Sequence, residues 1–385
     1  MRTSDIFDLL RDGRPRTRAQ LADETGMARS TIAARVDVLM RLGLVAPSGG
    51  ARSTGGRPPS LFALNPAARV VVGMDVGATH AIAAVTDLGG TVLGERQAAL
   101  DIADGPEVVL GWVVSVIGEL LADAKRPEAD LVAVGIGLPG PVEHSTGRPM
   151  NPPIMPGWDR YDVPGHVQRT YPVPVLIDND VNIMALGERG AYLPDVDDLI
   201  FIKVATGIGA GIISGSRLQR GAQGTAGDLG HVRVGTGDGV VCRCGNEGCL
   251  EAVAAGPALV SALTAKGLAV ASTGGVVELV RGGDASAVQE VRRAGRDIGE
   301  VVATLVNVMN PSVVVIGGRL ADAGEHLLAG IREIVYQRSL PLATEHLQIV
   351  ASRAGAQAGV LGAATMAVEH VLSPEAIEAA SAGVG

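Results

Sequence analysis

Residues 230–251 read GHVRVGTGDGVVCRCGNEGCLE and gather four potential metal ligands in one loop. They hold all three cysteines of the 385-residue chain, Cys242, Cys244 and Cys249, with His231 just upstream. Three thiolates and one imidazole fill the four positions around a tetrahedral Zn²⁺, which is typical of a structural zinc site. The alternative, three unrelated buried thiols, is disfavoured because the chain has no other cysteine and because glycines turn it between the ligands.

The same spacing, GHx10CxCGxxGCxE, resembles the zinc motif of the ROK family, a group of bacterial sugar repressors and sugar kinases with an actin-like fold. The resemblance extends over nearly the whole chain, from Thr17 to about Gly362. It implies an α/β fold with a two-lobed, actin-like ATPase body of the ROK sugar kinase type. An N-terminal winged helix-turn-helix domain is expected to precede this body.

The composition is that of a protein with two or three domains and no membrane anchor. At 385 residues the chain is too long for one ordinary core. Gly, Pro or charged residues interrupt every apolar run before it reaches the roughly 18–20 residues that span a bilayer. The N-terminus continues into an amphipathic segment and not into the apolar region of a signal peptide. Together with the clustered cysteines, this predicts a cytoplasmic protein in a reducing compartment.

Charge is divided unevenly along the chain. The first 66 residues carry ten Arg and six Asp or Glu, a net charge of +4, whereas the whole chain has −9. A basic segment on an acidic protein indicates a polyanionic partner that binds only at that end. Charge alone does not distinguish such a partner from a chance imbalance of surface charge. The local sequence pattern of the basic segment therefore decides between them.

The basic segment has the pattern of a helix-turn-helix. Three short helices are predicted, at residues 4–10, 17–26 and 29–42. The small Ala22 allows close helix packing, Gly26 makes the turn and Ile32 anchors the next helix. The start of that helix is expected to meet the DNA major groove with four polar side chains, Arg29, Ser30, Thr31 and Arg35.

A wing is expected after these helices. Residues 44–45 and 61–64 can pair as a short ribbon around the loop SGGARSTGGRPPS, which spans residues 48–60. Arg52 and Arg57 on such a loop suit a minor groove or a phosphate backbone. The alternative is a three-helix interaction domain that never touches DNA. It is disfavoured because the end of the loop resembles the wing of the ROK repressors.

Three glycine-rich turns follow buried strands in the order found in actin-like ATPases. DVGAT at residues 75–79 and ATGIGAG at residues 205–211 resemble the first and second phosphate loops, and VIGGR at residues 315–319 resembles the adenosine segment. Asp75 is the residue expected to orient a water on Mg²⁺. One such turn is weak evidence, whereas three in this order make a coincidence improbable. The implied nucleotide-binding residues are Asp75, Gly77, Thr79, Thr206, Gly207, Gly209, Gly317 and Gly318.

The sugar site is predicted between these loops. Residues 178–182, DNDVN, follow a predicted strand at 173–177, and the carboxyl ends of strands form the ligand crevice of α/β sheets. By resemblance, Asp180 is the general base that a kinase would use on a sugar hydroxyl. Asp178 is a candidate N-cap of the next helix, which is expected to end near residues 187–188. The sugar contacts implied by the resemblance are Gly140, Asn179, Asp180, Asp228, His231 and Glu251.

Three positions depart from the sugar kinases of the family. Asp228 stands where they usually have Glu, Ala205 replaces a usual Gly, and His80 takes a place often held by Lys or Asn. These departures leave the identity of the sugar and the competence for catalysis open, although no indispensable group is missing.

The sequence therefore predicts a sugar-responsive transcriptional regulator with one structural Zn²⁺. Residues 1–66 are the predicted DNA-binding domain, 67–178 the smaller lobe, and 179–362 the larger lobe with the zinc and sugar sites; a C-terminal helix at about 363–385 is expected to pack back on the smaller lobe. The expected partners are operator DNA and a sugar effector, and no membrane. A two-fold-related operator implies a homodimer or homotetramer.

Two alternatives compete with this prediction. The first is an ATP-dependent sugar kinase that uses ATP and Mg²⁺, with or without DNA binding. The second is a protein–protein adaptor, which the polar pocket residues argue against.

Overall fold

The N-terminal module consists of three helices and a small antiparallel sheet. The computed structural model describes residues 2–50 and 59–383 of the chain. The elements of the module are α1 (Thr3–Arg11), β1 (Arg16–Thr17), α2 (Arg18–Thr25), α3 (Arg29–Arg41), β2 (Val45–Gly50) and β3 (Ser60–Leu64). The Thr17 side chain caps α2, and Gly26 ends it with a φ of +70°. Val45 lies opposite Leu64, so the predicted ribbon is present.

A mixed five-stranded sheet begins the body of the protein. Its elements are β4 (Val70–Val76), β5 (His80–Asp87), β6 (Val92–Ala99), α4 (Pro106–Asp123), β7 (Leu131–Leu138), β8 (Val142–Glu143), β9 (Arg148–Pro149), α5 (Val163–Gln168) and β10 (Val175–Asn179). The strand order is β10-β7-β4-β5-β6, and β8 pairs with β9 in a separate hairpin. β4 runs parallel to β7 and antiparallel to β5. Every residue of β4 is buried, because helices cover both faces of the sheet.

A second five-stranded sheet, in the order β13-β12-β11-β14-β15, forms the rest of the body. Its elements are α6 (Asp180–Tyr192), β11 (Leu199–Val204), β12 (Ile208–Ser214), β13 (Arg217–Leu218), α7 (Leu250–Ala254), α8 (Gly256–Ala265), α9 (Thr273–Arg281), α10 (Ala285–Met309), β14 (Val313–Gly317), α11 (Glu325–Arg338), α12 (Pro341–Thr344) and β15 (Gln348–Ala351). β11 is antiparallel to β12 and parallel to β14. The largest apolar core lies between this sheet and α7–α11.

Helix α6 is longer than expected from the sequence. It continues past Gly187 to Tyr192, so the expected end near residues 187–188 is wrong. Gly187 is not a terminator: it lies where α6 crosses the helix α13 (Ala358–Val371). A Cβ on Gly187 would overlap the carbonyl oxygen of Ala358, so the glycine allows the two backbones to approach.

The C-terminal segment forms two helices where one was expected. α13 begins at residue 358, and α14 (Pro374–Ala382) follows, with Ser373 as its N-cap and Pro374 preventing a continuous helix. α13 packs on β4 and β7, while α14 contacts α1 of the N-terminal module. The core of that module and the buried side of α13–α14 form one apolar cluster. Among the described residues, no helix is long and apolar enough to cross a membrane.

Candidate functional site

Three strand ends meet at one edge of the first sheet. Asp75 in β4 lies opposite Gly137 in β7, and Asn179 in β10 lies opposite Leu138. Since β4, β7 and β10 are parallel, their carboxyl ends reach the same edge. The structure thus brings the DVGAT turn, Gly140 and the DNDVN segment together, while their binding of a nucleotide or a sugar stays a prediction.

Asn179, and not Asp178, caps helix α6. The Asn179 Oδ1 accepts a hydrogen bond from the Val181 N–H at 3.0 Å, and its Nδ2 donates to the Gly140 carbonyl at 2.8 Å. The predicted sugar contact of Asn179 therefore involves a side chain that already holds the helix and the Gly140 loop.

Asp178 is buried and accepts hydrogen bonds from two side chains. Only 2% of it is exposed, and its carboxylate accepts hydrogen bonds from Arg220 Nε at 2.6 Å and Asn182 Nδ2 at 2.8 Å. Burying a carboxylate is costly unless such partners satisfy its oxygens. Arg220, from the loop after β13, thus ties the second sheet to the end of β10, and no sequence pattern had indicated it.

Asp180 forms an ion pair with a residue that the motifs did not single out. The Nζ of Lys203, in β11, lies 2.5 Å from the Asp180 Oδ2. Burial alone would lower the pKa of Lys203, but the nearby Asp180 and Asp75 carboxylates and the hydrogen bond to Asp180 raise it. One signal was available in the sequence: Lys203 is one of only three lysines in the chain.

Asp75 is buried beside this pair. Burial raises its pKa to about 7, although the Lys203 ammonium acts in the opposite direction. Gly359, in α13, packs directly against the Asp75 carboxyl group, where a Cβ would overlap it. The imidazole of His80 packs over Gly77, and burial lowers the pKa of His80. Thr79, between them in the first phosphate loop, is exposed.

Glu251 links the predicted second phosphate loop, residues 205–211, to the cysteine loop. Its Oε2 accepts a hydrogen bond from the backbone N–H of Ile208 at 3.2 Å. The same carboxylate packs against Gly207 and lies near Gly230, at the start of the cysteine motif. Thr206, which precedes Gly207 in the chain, and Asp228 are both exposed.

The remaining predicted nucleotide-binding glycines have roles in packing. Gly209 faces Val181 in α6, and a Cβ on Gly317 would overlap the ring of Phe201. Gly318 has a φ of +83° and lies against the backbone of Val204. The close approach of neighbouring backbone and side chains is sufficient to require glycine at 317 and 318, so an adenosine contact there stays a prediction.

The four predicted metal ligands converge. The ligand atoms of His231, Cys242, Cys244 and Cys249 all lie within 4.8 Å of one another. The Cys242 Sγ is 3.6 Å from the His231 Nδ1, and the Sγ atoms of Cys244 and Cys249 are 3.7 Å apart. A tetrahedron with Zn–S bonds of about 2.3 Å has edges of about 3.8 Å, so the spacing and the donor set both fit a metal ion.

The acidity of the thiols differs across this cluster. A hydrogen bond from the backbone of Asn246 lowers the pKa of Cys244 to about 7, whereas burial raises that of Cys249 to about 12. Only thiolates bind a metal, so loading this site releases protons.

The predicted DNA-binding residues divide into two groups. Arg29 and Ser30 are exposed at the start of α3, and Thr31 is partly exposed. Arg35 differs from the prediction: it is partly buried, and its Nη1 donates to the Thr3 Oγ1 in α1 at 3.1 Å. It therefore holds two helices of the module together instead of projecting freely. Arg52 and Arg57 lie outside the described residues.

Known proteins are similar to both the N-terminal module and the body of this chain. The model of the ROK family matches residues 71–370, and that of the IclR helix-turn-helix domain matches residues 1–49. A putative xylose repressor of Caldicellulosiruptor sp. (strain Rt8B.4) is 30% identical over 383 residues, covering 96% of this chain and 95% of the relative.

Solved structures extend the comparison. A ROK family transcriptional regulator, a homolog of the E. coli MLC protein, has a TM-score of 0.85 and 25% identity, covering 99% of this chain and 98% of that one. A ROK family glucokinase from Streptomyces griseus, solved with glucose and AMPPNP, has a TM-score of 0.65 and 32% identity, covering 77% of this chain and 99% of that one. With the family model spanning both sheets and a relative similar over almost its full length, this chain belongs to the ROK family.

Proposed function

We propose that the protein is a transcriptional repressor that binds operator DNA through the start of α3 and releases it when a sugar binds at the shared edge of β4, β7 and β10. The helix-turn-helix and the ROK body occur in one chain, and the similar putative xylose repressor matches both. A neutral sugar suits this edge, since carboxylates and amides that accept hydrogen bonds from hydroxyls converge there.

One observation carries the proposal. Helix α13 contacts Asp75 at its start, through Gly359, and leads into α14, which packs on α1 of the N-terminal module. A change at the sugar site therefore has a continuous packed route to the DNA-binding helices. Coupling of this kind needs two sites and an element that both of them bias, and we assign that role to α13–α14 because of its contacts at both ends.

The test combines sugar binding with DNA binding. A thermal-shift panel containing D-xylose, D-glucose, N-acetylglucosamine and their phosphates identifies the effector, because a ligand that binds only the folded state raises its melting temperature. Operator DNA is then selected from random duplexes and titrated with and without that sugar. We expect a two-fold-related site and weaker binding with the sugar. Equal affinity in both conditions would contradict the proposal.

The metal ion that suits the cysteine cluster is Zn²⁺, and we assign it a structural role. His231, Cys242, Cys244 and Cys249 would hold it, and the adjacent Glu251 and Asp228 would keep their positions at the sugar site. Metal analysis should find about one Zn²⁺ per chain, and Cys242→Ser should lower the metal content and weaken sugar binding by about 10–100-fold. A metal-free wild-type protein with full sugar affinity would refute this role.

A second candidate function, ATP-dependent phosphorylation of the sugar, is favoured by the position of Asp180 among the glycine loops. In a kinase, Asp180→Asn should abolish turnover and keep sugar binding, because an amide cannot accept the proton. If the wild type converts no sugar of the panel, the kinase candidate is rejected.

We also propose a homodimer or homotetramer, because one helix-turn-helix reads too few base pairs for specific binding. Light scattering on the purified protein distinguishes these states from a monomer.

A further inference from the structure

The shared edge of β4, β7 and β10, which we call the sugar edge, contains a fixed positive charge on Lys203. Lys203 ends the part of β11 that pairs with both neighbours, opposite Gly209 in β12 and Gly317 in β14. Its backbone thus lies between the predicted second phosphate loop and the predicted adenosine segment, and its ammonium binds Asp180. The side chain is 23% exposed and its partner Asp180 only 10%, so the pair is largely shielded from water.

The charges around this ammonium come from three other elements. Asp180 is the first residue of α6 and binds Lys203 directly. Asp75, at the end of β4, and His80, at the start of β5, are both within its electrostatic influence. The Lys203 ammonium, which the second sheet supplies, therefore interacts with the predicted base Asp180 and lies near the predicted first phosphate loop.

A magnesium site does not fit this arrangement. Mg²⁺ in a phosphoryl-transfer site is held by one or two carboxylates together with substrate phosphates. Here the Asp180 carboxylate already binds the Lys203 ammonium, and Asp75 lies within the electrostatic influence of that ammonium, which would repel a divalent cation at short range.

We propose that Lys203 is the resident cation of the sugar edge: it pairs with Asp180 in place of a divalent metal ion, and it fixes Asp180 as a hydrogen-bond acceptor for the sugar. The cleft then binds its sugar without Mg²⁺ or nucleotide. The part that concerns the sugar rests on the proposed function, whereas the part that concerns the metal ion does not.

The test uses Mn²⁺ as a spin probe for the magnesium position, with the full chain loaded with Zn²⁺. Free Mn²⁺ is followed by electron paramagnetic resonance in the wild type, Lys203→Met, Lys203→Arg and the double variant Lys203→Met/Asp180→Asn. We expect negligible binding by the wild type and by Lys203→Arg, which keeps the charge. Lys203→Met should bind Mn²⁺ at least about tenfold more tightly, because the Asp180 carboxylate loses its counter-charge. The double variant Lys203→Met/Asp180→Asn should not show this tighter Mn²⁺ binding.

Two results would overturn the proposal. The first is a wild type that binds Mn²⁺ as tightly as Lys203→Met, while the double variant Lys203→Met/Asp180→Asn does not bind it. The second is a folded Lys203→Met, checked by circular dichroism, that binds no more Mn²⁺ than the wild type. Lys203→Gln replaces the Met variant if that variant does not fold.

Sugar binding separates this proposal from the proposed function. The affinities for D-xylose and D-glucose are measured by calorimetry with and without excess Mg²⁺. We expect no change for a sugar that binds, and a sugar that binds only with Mg²⁺ would contradict the resident cation. If none of the panel binds, the proposed sugar response fails, and the Mn²⁺ titration still decides the role of Lys203.

Discussion

Arg29 and Arg35 lie on the same helix, α3, but their side chains have different environments. Both were expected to face DNA, but Arg29 is exposed while Arg35 donates to Thr3 in α1. The charge of Arg29 is therefore available to a phosphate or a base, whereas that of Arg35 contributes to the packing of the module.

Arg29→Ala should weaken operator binding by about 1–3 kcal/mol, the usual loss for one base contact, and leave sugar affinity unchanged. Fluorescence anisotropy with the selected operator measures this change. Arg169→Ala is the matched control, because it removes an exposed arginine from the body, beyond the end of α5. If both variants bind DNA like the wild type, α3 does not read the operator through Arg29.

Asp75 makes the stability of the protein depend on pH. Its pKa is about 7 in the folded protein against 3.8 when unperturbed, so between these values the folded state holds the extra proton. Stability therefore falls as the pH rises from about 4 to about 7, and Asp75 adds no further change above that.

Asp75→Asn should remove this loss of stability with rising pH. Relative to the wild type, the variant should gain about 2–3 kcal/mol in the free energy of unfolding between pH 5 and pH 8, since one pKa unit corresponds to about 1.4 kcal/mol. Urea unfolding at several pH values provides the comparison. Parallel stability curves for the two proteins would show that Asp75 is not a buried acid.

At the scale of elements, the contact between α6 and α13 positions the site. Asp180 begins α6, and α13 lies against Asp75. Their backbones approach closely because Gly187 and Gly362 carry no side chain; a Cβ on either would overlap a carbonyl oxygen of the other helix.

Gly187→Ala should destabilise the protein by about 1–3 kcal/mol, because a methyl group would force the two helices apart. Gly190→Ala, one turn later on α6, is the matched control: its Cβ would meet Thr365 at an ordinary 3.6 Å. We expect the control to be neutral or more stable by up to about 1 kcal/mol, since alanine is the better helix former. Thermal unfolding of both variants gives the answer, and equal destabilisation would refute the role of close helix contact.

At the scale of the whole molecule, α14 joins the body to the N-terminal module. The Glu378 Oε1 accepts a hydrogen bond from the Ser4 N–H at 2.8 Å, in the first turn of α1. A carboxylate at this position also interacts favourably with the helix dipole. Thr3, the preceding residue, holds Arg35 of α3, so Glu378 is connected to the DNA-binding helix through two hydrogen bonds.

Glu378→Ala should reduce the effect of the sugar on operator affinity by about 0.5–1 kcal/mol and leave the sugar affinity itself unchanged. The measured quantity is the ratio of operator dissociation constants with and without sugar. Glu375→Ala, at an exposed position of the same helix, is the control. An unchanged ratio in Glu378→Ala would mean that the signal does not pass through this contact.

The sequence by itself determined the family, the helix-turn-helix, the grouping of His231 with the three cysteines, and the strand ends that meet at one edge of the first sheet. These features depend on short-range patterns: residue spacing within the cysteine loop, alternation in buried strands, and glycine turns whose order in the chain is diagnostic. The limits of the domains and the roles of the site residues remain predictions.

Only the tertiary structure decided how the charges of the site are balanced. Lys203 lies 23 positions from Asp180 and far from Asp75 in the chain, and no local pattern relates them. The same is true of Arg220 with Asp178, Arg35 with Thr3, and Gly187 with α13. The sequence gives the charge and the size of each group, but whether a group is free, paired or buried depends on which distant segment packs against it.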